Sequence, residues 1–269
     1  MWDWQAIGEL EQVPWVRHVE YHPTVESTND LARALVDRFV PLPALVVAGQ
    51  QTRGRGRQGR RWWSPPGALL CSLVVGPDVG PQQSDALSVM APWTGIGLAE
   101  GLNRIEPALP LWLKWPNDLM VGDCKLGGVL VECVPSGAEG TRWIVGFGVN
   151  VNNRRESSRV PPEELEGGYL PLSLIDFSGR SYPLVGILSA LLHSLATTYS
   201  KLRSDPESLP ERWQVYCGLQ GRRIEVATGD DRRIAGIGLG IDAAGALRVQ
   251  TDHGSVVTVL NGSVRSIPG

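Results

Sequence analysis

The fold assignment depends on one stretch of the chain, which reads Gly54-Arg55-Gly56-Arg57-Gln58-Gly59-Arg60 and continues into Arg61-Trp62-Trp63. Five arginines fall within the nine residues 53–61, and three glycines lie between them. Glycine lets the backbone turn and approach a ligand closely, while arginine offers a permanent charge on a planar fork that fits carboxylates and phosphates. The pattern predicts a loop that closes over a small anion. A solvated basic loop is the alternative that this stretch alone leaves open.

The rest of the composition is that of an ordinary globular protein. Of the 269 residues, 42% are hydrophobic and 20% are charged, which is enough for one sizeable core and a smaller module. The formal net charge of -3 argues against bulk electrostatic attraction to nucleic acid or to an anionic membrane. The basic stretch is therefore a local feature of a mildly acidic protein.

Cysteine and targeting patterns indicate a reducing compartment. The four cysteines show no CxxC spacing, and the chain is too long for a disulfide scaffold, which predicts buried thiols. The N-terminal residues contain no basic region followed by an apolar run, and no apolar stretch reaches about 18 residues. We therefore expect a cytoplasmic protein without a secretory signal or a transmembrane helix.

Hydrophobic periodicity outlines the secondary structure. A helix is predicted to begin at Ser27, because Ser27 and Asp30 have the spacing of a capping box. Two further helices are predicted at 84–105, with Pro92 as a kink, and at 184–202. Strands are predicted at 16–22, 44–48, 68–75, 111–115, 119–121, 129–134 and 143–151.

The sequence changes character near residue 219. Residues 152–182 are polar and contain prolines, whereas short alternating segments separated by tight turns begin at Gly221. Five such segments at this spacing predict a small all-β barrel. We therefore expect two domains, residues 1–219 and residues 220–269.

Three further parts of the chain carry residues suited to chemistry, and each is ambiguous alone. A helix start holds Ser27-Thr28-Asn29, for which N-capping is the simplest role. Two of only three lysines lie in Lys114-Trp115-Pro116-Asn117-Asp118 and Lys125-Leu126-Gly127-Gly128, where a solvated surface turn is the simplest explanation. A strand reads Gly146-Phe147-Gly148-Val149-Asn150, whose glycines leave room for a flat ligand or mark a bulge. No P-loop, no GxSxG elbow and no metal-ligand spacing of histidines accompanies them.

Taken together and in this order, these motifs resemble those of the biotin–protein ligase family, with similar intervals between them. The match is strong over residues 16–151 and weaker beyond, where residues 221–224 and 236–245 look like the family's SH3-like domain. The resemblance implies an α+β fold. It consists of a mixed β-sheet catalytic domain flanked by helices, of the class II synthetase-like biotin–lipoate ligase type, and a small C-terminal SH3-like β-barrel.

The resemblance also implies an activity. Such ligases use ATP and Mg²⁺ to convert biotin to biotinyl-AMP, and they then pass the biotinyl group to a lysine of a biotin carboxyl carrier domain. A carboxylate and an α-phosphate must meet, and at an effective dielectric near 20 their repulsion at ~4 Å is about 4 kcal/mol. Fixed cations must offset that repulsion, and the catalytic candidates are Lys125 and Arg57.

Binding roles follow from the same resemblance. Biotin is expected to contact Ser27, Thr28, Asn29, Gln51, Gly54, Arg55 and Gly128. The nucleotide is expected to contact Arg57, Arg60, Trp62, Asn117, Asp118, Lys125 and Asn150. Asp118 is also the candidate ligand of a magnesium–phosphate complex. Residues 53–61 are expected to be mobile without ligand and ordered by biotinyl-AMP, which they would shield from water.

Two rival functions remain open. A lipoate–protein ligase shares the fold and the adenylate chemistry, although the arginine-rich loop and the Lys-Trp-Pro-Asn-Asp segment favour biotin. Nucleic-acid binding through the loop would require an affinity that falls steeply with salt, and the acidic net charge opposes it. We expect no nucleic-acid or membrane partner, and a homodimer is left open. Because only fifteen residues precede the first predicted strand, we expect a ligase-only form without the N-terminal DNA-binding domain of some family members.

Overall fold

The structure, a computed structural model, describes residues 4–38, 40–80, 87–136, 140–154, 169–229 and 232–266. The helices in these ranges are α1 (Trp4–Glu11), α2 (Thr28–Asp37), α3 (Leu87–Ile105), α4 (Leu174–Ser178), α5 (Leu184–Ser204) and α6 (Leu209–Gln214). The first seven strands are β1 (His18–His22), β2 (Ala44–Ala48), β3 (Leu69–Val75), β4 (Leu111–Lys114), β5 (Asp118–Val121), β6 (Cys124–Pro135) and β7 (Thr141–Val149). The remaining strands are β8 (Arg223–Ala227), β9 (Arg233–Ile241), β10 (Leu247–Thr251), β11 (Val256–Val259) and β12 (Ser263–Ser266).

A seven-stranded mixed sheet forms the larger part of the molecule. Its strand order is β1-β2-β3-β7-β6-β5-β4, in which β1 and β2 are parallel and the other neighbours are antiparallel. The strands β2 and β3 are buried along their whole length because helices cover both faces. On one face α2 packs against β2, β3 and β7, while on the other α3 packs against β4, β5 and β6 and is itself covered by α5.

The C-terminal strands form a second, smaller sheet. They are antiparallel in the order β11-β10-β9-β8-β12. Their inward side chains, such as Ile224, Val226 and Leu247, belong to the same continuous apolar cluster as Trp115 and Trp213 of the larger part. The Trp115 indole N–H also donates to the Gly245 carbonyl at 3.0 Å, inside this shared core. The two sheets are therefore packed as one hydrophobic unit.

All seven predicted strands of the first part occur in the structure, and the five C-terminal ones do as well. The strand predicted at 129–134 is longer, because it begins at Cys124 and includes the glycine pair. The helix predicted at 84–105 is described from Leu87 and continues through Pro92, while residues 84–86 lie outside the described ranges. Helices α1, α4 and α6 were not predicted, and α4 has a capping box formed by Ser173 and Asp176.

The capping box predicted at the start of α2 was wrong. Ser27 occupies the N-cap position in an extended conformation, but its side chain makes no capping hydrogen bond. The carboxylate of Asp30 accepts from the guanidinium of Arg55 instead. An opposite charge from the loop has therefore drawn Asp30 away from the helix end.

The cysteines and the helix lengths bear on the predicted compartment. All four cysteines are free thiols, but only Cys71 is buried, where desolvation raises its pKa well above the ordinary value. The other three are only partly buried, so the prediction of buried thiols was wrong for them. Among the described residues, no helix is both long enough and apolar enough to cross a membrane.

Candidate active site

A cleft with a glycine floor lies on the face of the large sheet beside α2. One row of cross-strand neighbours runs from Leu70 through Gly148, Gly128 and Asp118 to Lys114. A side chain at Gly148 would stand 2.6 Å from the Trp62 indole, which therefore packs directly on the sheet backbone. The missing side chains create the space for the cleft, and the row leads from this floor to the charged residues.

Neighbouring Gly146 makes a second close approach possible. A Cβ atom there would overlap the amide oxygen of Asn29, so only glycine lets the start of α2 sit this close to β7. The walls of the cleft also include Ser27, Thr28 and the backbone of Gly56. The glycine-containing strand identified in the sequence is thus the floor of a pocket.

Polar side chains at one end of the cleft form a connected network. Gln51 accepts through Oε1 from the backbone N–H of Thr28 at 2.8 Å and from its hydroxyl at 3.1 Å, and it donates through Nε2 to Ser64 at 3.1 Å. The Ser72 hydroxyl lies 2.8 Å from the Thr28 hydroxyl oxygen and 2.6 Å from Asn29 Oδ1. Because each group is held by another, the network presents fixed donors and acceptors to the cleft.

The glycine–arginine loop folds over this end of the cleft. Its two arms are joined by bonds from the Gly56 N–H to the Arg60 carbonyl at 2.8 Å and from the Trp62 N–H to the Gly54 carbonyl at 2.9 Å. Between them Gln58 adopts a left-handed backbone conformation, with φ of 57°. The loop is therefore a tight turn that carries Trp62 back onto the glycine floor.

The arginines of the loop point in two directions. Arg55 pairs with Asp30 and, at 2.7 Å, with Glu132 on the large sheet. Arg57 instead donates to the side chain of Asn261 between β11 and β12 in the C-terminal sheet. Arg60 reaches the same strand connection, where it donates to the Ser263 hydroxyl at 3.1 Å. The loop thus contacts both sheets.

Three buried charged side chains stand at the far end of the row. Asp118 Oδ1 lies 2.6 Å from Lys125 Nζ, and Asp118 Oδ2 lies 3.4 Å from Lys114 Nζ. Burial alone would raise the pKa of Asp118, but the adjacent Lys125 and Lys114 ammonium groups outweigh it and lower that pKa below its ordinary value. The carboxylate therefore stays ionised and orients both lysines.

The position of Lys125 is fixed by its backbone as well. Its N–H donates to the Leu170 carbonyl at 2.8 Å, and its own carbonyl accepts from the Leu172 N–H at 3.0 Å. Its ammonium group lies 5.2 Å from the centre of the Trp62 ring, within range of a cation–π interaction. Lys125, Trp62 and the glycine floor thus meet at one point.

A second cavity opens between the loop, the charged turn and the C-terminal sheet. Cationic side chains from both sheets line it: Arg57, Arg60, Lys114, Arg233 and Arg265. Asp118 and Asn117 lie on its wall as well, and Asn117 also borders the glycine-floored cleft. The two cavities are therefore adjacent. The lining of the second one also holds Glu225, which pairs with Arg233 and Arg265, so its cations are partly offset but remain in excess.

Most of the predicted site residues line one of the two cavities, but Lys125, Gly54 and Asn150 do not. Lys125 contacts Trp62 and Asp118, which border the cavities. Asn150 is buried. Its amide donates to the Lys125 carbonyl at 3.2 Å and accepts from Asn153 at 2.9 Å, so it supports the strand that carries Lys125. Gly54 is likewise a packing position, because a side chain there would meet the Trp62 carbonyl at 2.6 Å. Contact of Asn150 with a nucleotide stays a prediction.

The described residues do not form a metal site of their own. They include no group of three histidine, cysteine, aspartate or glutamate side chains that could hold a metal ion. The candidate ligand Asp118 already faces two ammonium groups. Contact of magnesium with Asp118 stays a prediction.

Two residues of the site were missed in the sequence. Ser72 is the single polar residue in the apolar run of β3, which was a usable signal for a functional position. Glu132, on β6, contacts Asn29 and Arg55, which lie 103 and 77 residues away along the chain. No local pattern could have linked Glu132 to either of them.

Comparison with known proteins agrees with this geometry. The sequence profile described as "Biotin/lipoate A/B protein ligase family" matches residues 21–150. The bifunctional ligase/repressor BirA of Escherichia coli K12 is 31% identical over 251 residues, which cover 92% of this chain and 73% of that protein. The biotin–[acetyl-CoA-carboxylase] ligase of Paracoccus denitrificans is 31% identical over 80% of this chain and 87% of its own length.

Among solved structures, the biotin protein ligase of Aquifex aeolicus in complex with biotin and ATP superimposes with a TM-score of 0.78 at 25% identity. The superposition covers 93% of this chain and all of that one. Identity above 30% over most of the length of two relatives establishes common descent. The chain belongs to the biotin/lipoate A/B protein ligase family.

Proposed function

We propose that the protein is an ATP-dependent ligase that activates biotin as biotinyl-AMP and transfers the biotinyl group to a lysine of a biotin carboxyl carrier domain. One observation carries this proposal. The glycine floor of the cleft continues along one cross-strand row into Asp118 and Lys114, and Lys125 on the neighbouring strand contacts Asp118 at 2.6 Å. A small apolar acid with a polar head can therefore lie in the cleft with its carboxylate directed at the lysines.

The cleft suits biotin in particular. The ureido ring of biotin has N–H donors and a carbonyl acceptor, and the polar end of the cleft offers fixed groups of both kinds through Thr28, Gln51 and Asn29. The apolar part of the molecule would lie along Leu70 and Val129, which border the same cleft. Lipoate has no ureido ring and would leave the polar groups unpaired, at a cost in affinity.

The first chemical step requires charge compensation rather than a protein nucleophile. A carboxylate oxygen of biotin attacks the α-phosphorus of ATP, the bond to the bridging oxygen breaks, and pyrophosphate leaves. Lys125, held in place by Asp118, can stabilise the negative charge that builds up on the α-phosphate oxygens. Arg57 and Arg60 line the adjacent cavity, where they can offset the charge of the departing pyrophosphate.

The second step is attack of a neutral lysine amine of the acceptor on the carbonyl carbon of biotinyl-AMP. AMP leaves, an amide bond forms, and the proton of the amine passes to solvent. The loop must keep water from the mixed anhydride until the acceptor arrives, and its contacts with both sheets support that role. We further propose that the five-stranded C-terminal sheet is an SH3-like barrel that helps to hold the loop and the acceptor.

The rival nucleic-acid function has less support. Arg53 and Arg55 pair with acidic side chains of the protein itself, which offsets part of their positive charge. We expect no binding to random-sequence DNA at physiological salt. Self-association of the chain remains a prediction.

Mass measurement of the adenylate tests the proposal. The protein is incubated with Mg-ATP and either biotin or lipoate, and the reaction is quenched before analysis. We expect biotinyl-AMP and pyrophosphate in the biotin reaction. Lipoyl-AMP as the dominant product would instead show that the protein is a lipoate–protein ligase. No adenylate in either reaction would refute both ligase functions.

A further inference from the structure

Glu132 connects the glycine–arginine loop with the polar end of the cleft. It lies on β6, and its side chain is 16% exposed. Its carboxylate accepts from Asn29 Nδ2 at 2.8 Å and from Arg55 at 2.7 Å. Arg33, on the outer side of α2, reaches it at 3.2 Å. A single acceptor group therefore serves a pocket residue and a loop residue at once.

The contact with Asn29 determines which way its amide faces. A carboxylate can only accept hydrogen bonds, so it selects the NH₂ group of the amide. Asn29 Oδ1 then points to Ser72, which lies 2.6 Å away and also contacts Thr28. The NH₂ group has a second acceptor in the Leu130 carbonyl, but that contact is longer, at 3.5 Å, so the carboxylate makes the stronger of the two bonds that select this orientation. Glu132 thus determines how the polar end of the cleft presents its donors and acceptors.

The contact with Arg55 determines where the loop lies. Arg55 is the first arginine of the folded turn, and its backbone pairs with Arg61 across the loop. Asp30 is its second partner but is 49% exposed on its side chain, so solvent weakens that pair. Burial tends to raise the pKa of Glu132, and the bonds from Asn29 and Arg55 outweigh it and lower that pKa. Glu132 is therefore ionised at neutral pH when it holds the loop.

We propose that Glu132 is a positioning residue that couples closure of the glycine–arginine loop to the orientation of the hydrogen-bonding groups at the polar end of the cleft. The inference rests on the proposed ligase function, because it assigns a consequence to that reaction. When the loop opens, Glu132 loses one partner and holds Asn29 less firmly. When biotin engages the polar network, the same carboxylate favours the closed loop.

The variant Glu132→Gln separates the two contacts, because its amide oxygen can still accept from Asn29 while its charge is lost. We expect the KM for biotin to rise and biotinyl-AMP to leave the enzyme faster, each by about tenfold, as for loss of one partly buried charge-assisted bond. The maximal rate of adenylate formation should change much less, since no group at the reacting atoms is altered. Glu132→Ala removes both contacts and should raise the KM further.

Arg38→Gln is the matched control, because Arg38, at the end of the same helix, pairs with Glu20 at 2.7 Å rather than with Glu132. Its KM and adenylate release should equal those of the wild type, and the melting temperatures of all variants are measured to exclude unfolding. The double variant Arg55→Gln/Glu132→Gln should be no worse than the poorer single variant if the two residues act through each other.

The result that overturns the inference is an active wild type with unchanged KM and adenylate release in Glu132→Gln. Equal effects of Glu132→Gln and Arg38→Gln would also overturn it, because they would reveal only a general loss of stability. A wild type that makes no biotinyl-AMP would overturn the ligase proposal itself and, with it, the role of Glu132. The failures of the two proposals are thus distinguishable.

Discussion

Among single residues, Lys125 has the most constrained environment in the site. Its ammonium group contacts Asp118 at 2.6 Å and lies near the face of Trp62, and its backbone is bonded on both sides. A flexible side chain that is held this firmly can act on a developing charge without first being ordered. Because the Lys125 ammonium group is fixed in place, we expect it to stabilise the transition state rather than only to attract the nucleotide.

Replacement of Lys125 by alanine should therefore remove transition-state stabilisation selectively. We expect adenylate formation to fall by about 10²–10³-fold, as for loss of one preorganised electrostatic group, while most of the biotin affinity remains. Single-turnover formation of biotinyl-AMP and equilibrium binding of biotin measure the two effects. Lys201→Ala, at an exposed position on α5, is the control and should behave as the wild type. Wild-type turnover of Lys125→Ala would refute the role.

The lowered pKa of Asp118 has a consequence for stability. A carboxyl whose folded-state pKa lies below its unfolded value of 3.8 stabilises the fold above pH 3.8. That contribution disappears as the pH falls through the lower folded-state pKa. We expect Asp118→Asn to be less stable than the wild type in urea at pH 7, with a difference that shrinks below pH 3.8. A difference that is constant from pH 7 to pH 2.5 would contradict this linkage.

Residues with distant partners were the hardest to predict. Lys125, Asp118 and Thr28 could be selected from the sequence because each belongs to a short motif. Ser72 offered only the signal of a lone polar residue in an apolar strand, and Glu132 offered none, since both act through partners more than 40 residues away along the chain. The Ser27–Asp30 spacing even suggested a local cap, whereas Asp30 pairs with the loop.

Among the structural elements, the central strands show why a strand that contains glycines was predicted with the wrong start. Strand β2 was predicted with its observed ends because it is a short, fully apolar run. Strand β6 was predicted only from residue 129, because the glycine pair before it has the composition of a loop. In the folded protein the Trp62 indole covers Gly128, while the backbone of Gly148 lies against Gly127. Such compensation by another segment cannot be seen in local sequence.

The glycine floor should tolerate no side chain. In Gly148→Ala the new methyl group would displace Trp62, and overpacking of this kind costs about 1–3 kcal/mol. We expect the KM for both biotin and ATP to rise, because Trp62 borders the cleft and contacts Lys125. Gly186→Ala on α5 is a matched change with only ordinary contacts nearby, and it should leave activity intact. Equal kinetics for the two variants would argue against a packed floor.

The loop that carries Arg57 is anchored to the C-terminal sheet through Asn261. Asn261→Ala should lower the rate of adenylate formation by about 3–10-fold, the loss typical of one hydrogen bond to a charged group, because Arg57 is held less well. Thr258→Ala, at an exposed position on β11, is the control.

Limited proteolysis should also cleave residues 53–61 more slowly when biotinyl-AMP is bound. Equal cleavage with and without biotinyl-AMP would show that the loop does not close over it.

In the whole molecule, the two sheets share one apolar core. The cluster that joins Trp115 and Trp213 to Ile224 and Leu247 means that the C-terminal sheet completes the larger part. The predicted boundary near residue 219 therefore does not imply independent folding, and it stays a prediction about domain organisation. The short alternating segments and tight turns after residue 219 predicted the second sheet. The shared core depends on contacts that only the folded chain brings together.

A shared core predicts cooperative unfolding. We expect one urea transition with the same midpoint by far-ultraviolet circular dichroism and by tryptophan fluorescence. The fluorescence reports mainly on the larger part, which holds all ten tryptophans. A chain truncated after Leu219 should aggregate or lose its transition, because it exposes apolar side chains that are buried in the full protein. Two separate transitions in the intact chain would contradict a common core.

The central claim is that one site first makes an acyl-adenylate and then transfers its acyl group to a protein lysine. The most direct measurement is the incorporation of labelled biotin into a purified biotin carboxyl carrier domain, with and without Mg-ATP. We expect one biotin per carrier domain only when Mg-ATP is present, and none when the acceptor lysine is replaced by arginine. Incorporation without ATP, or its absence under all conditions, would contradict the account.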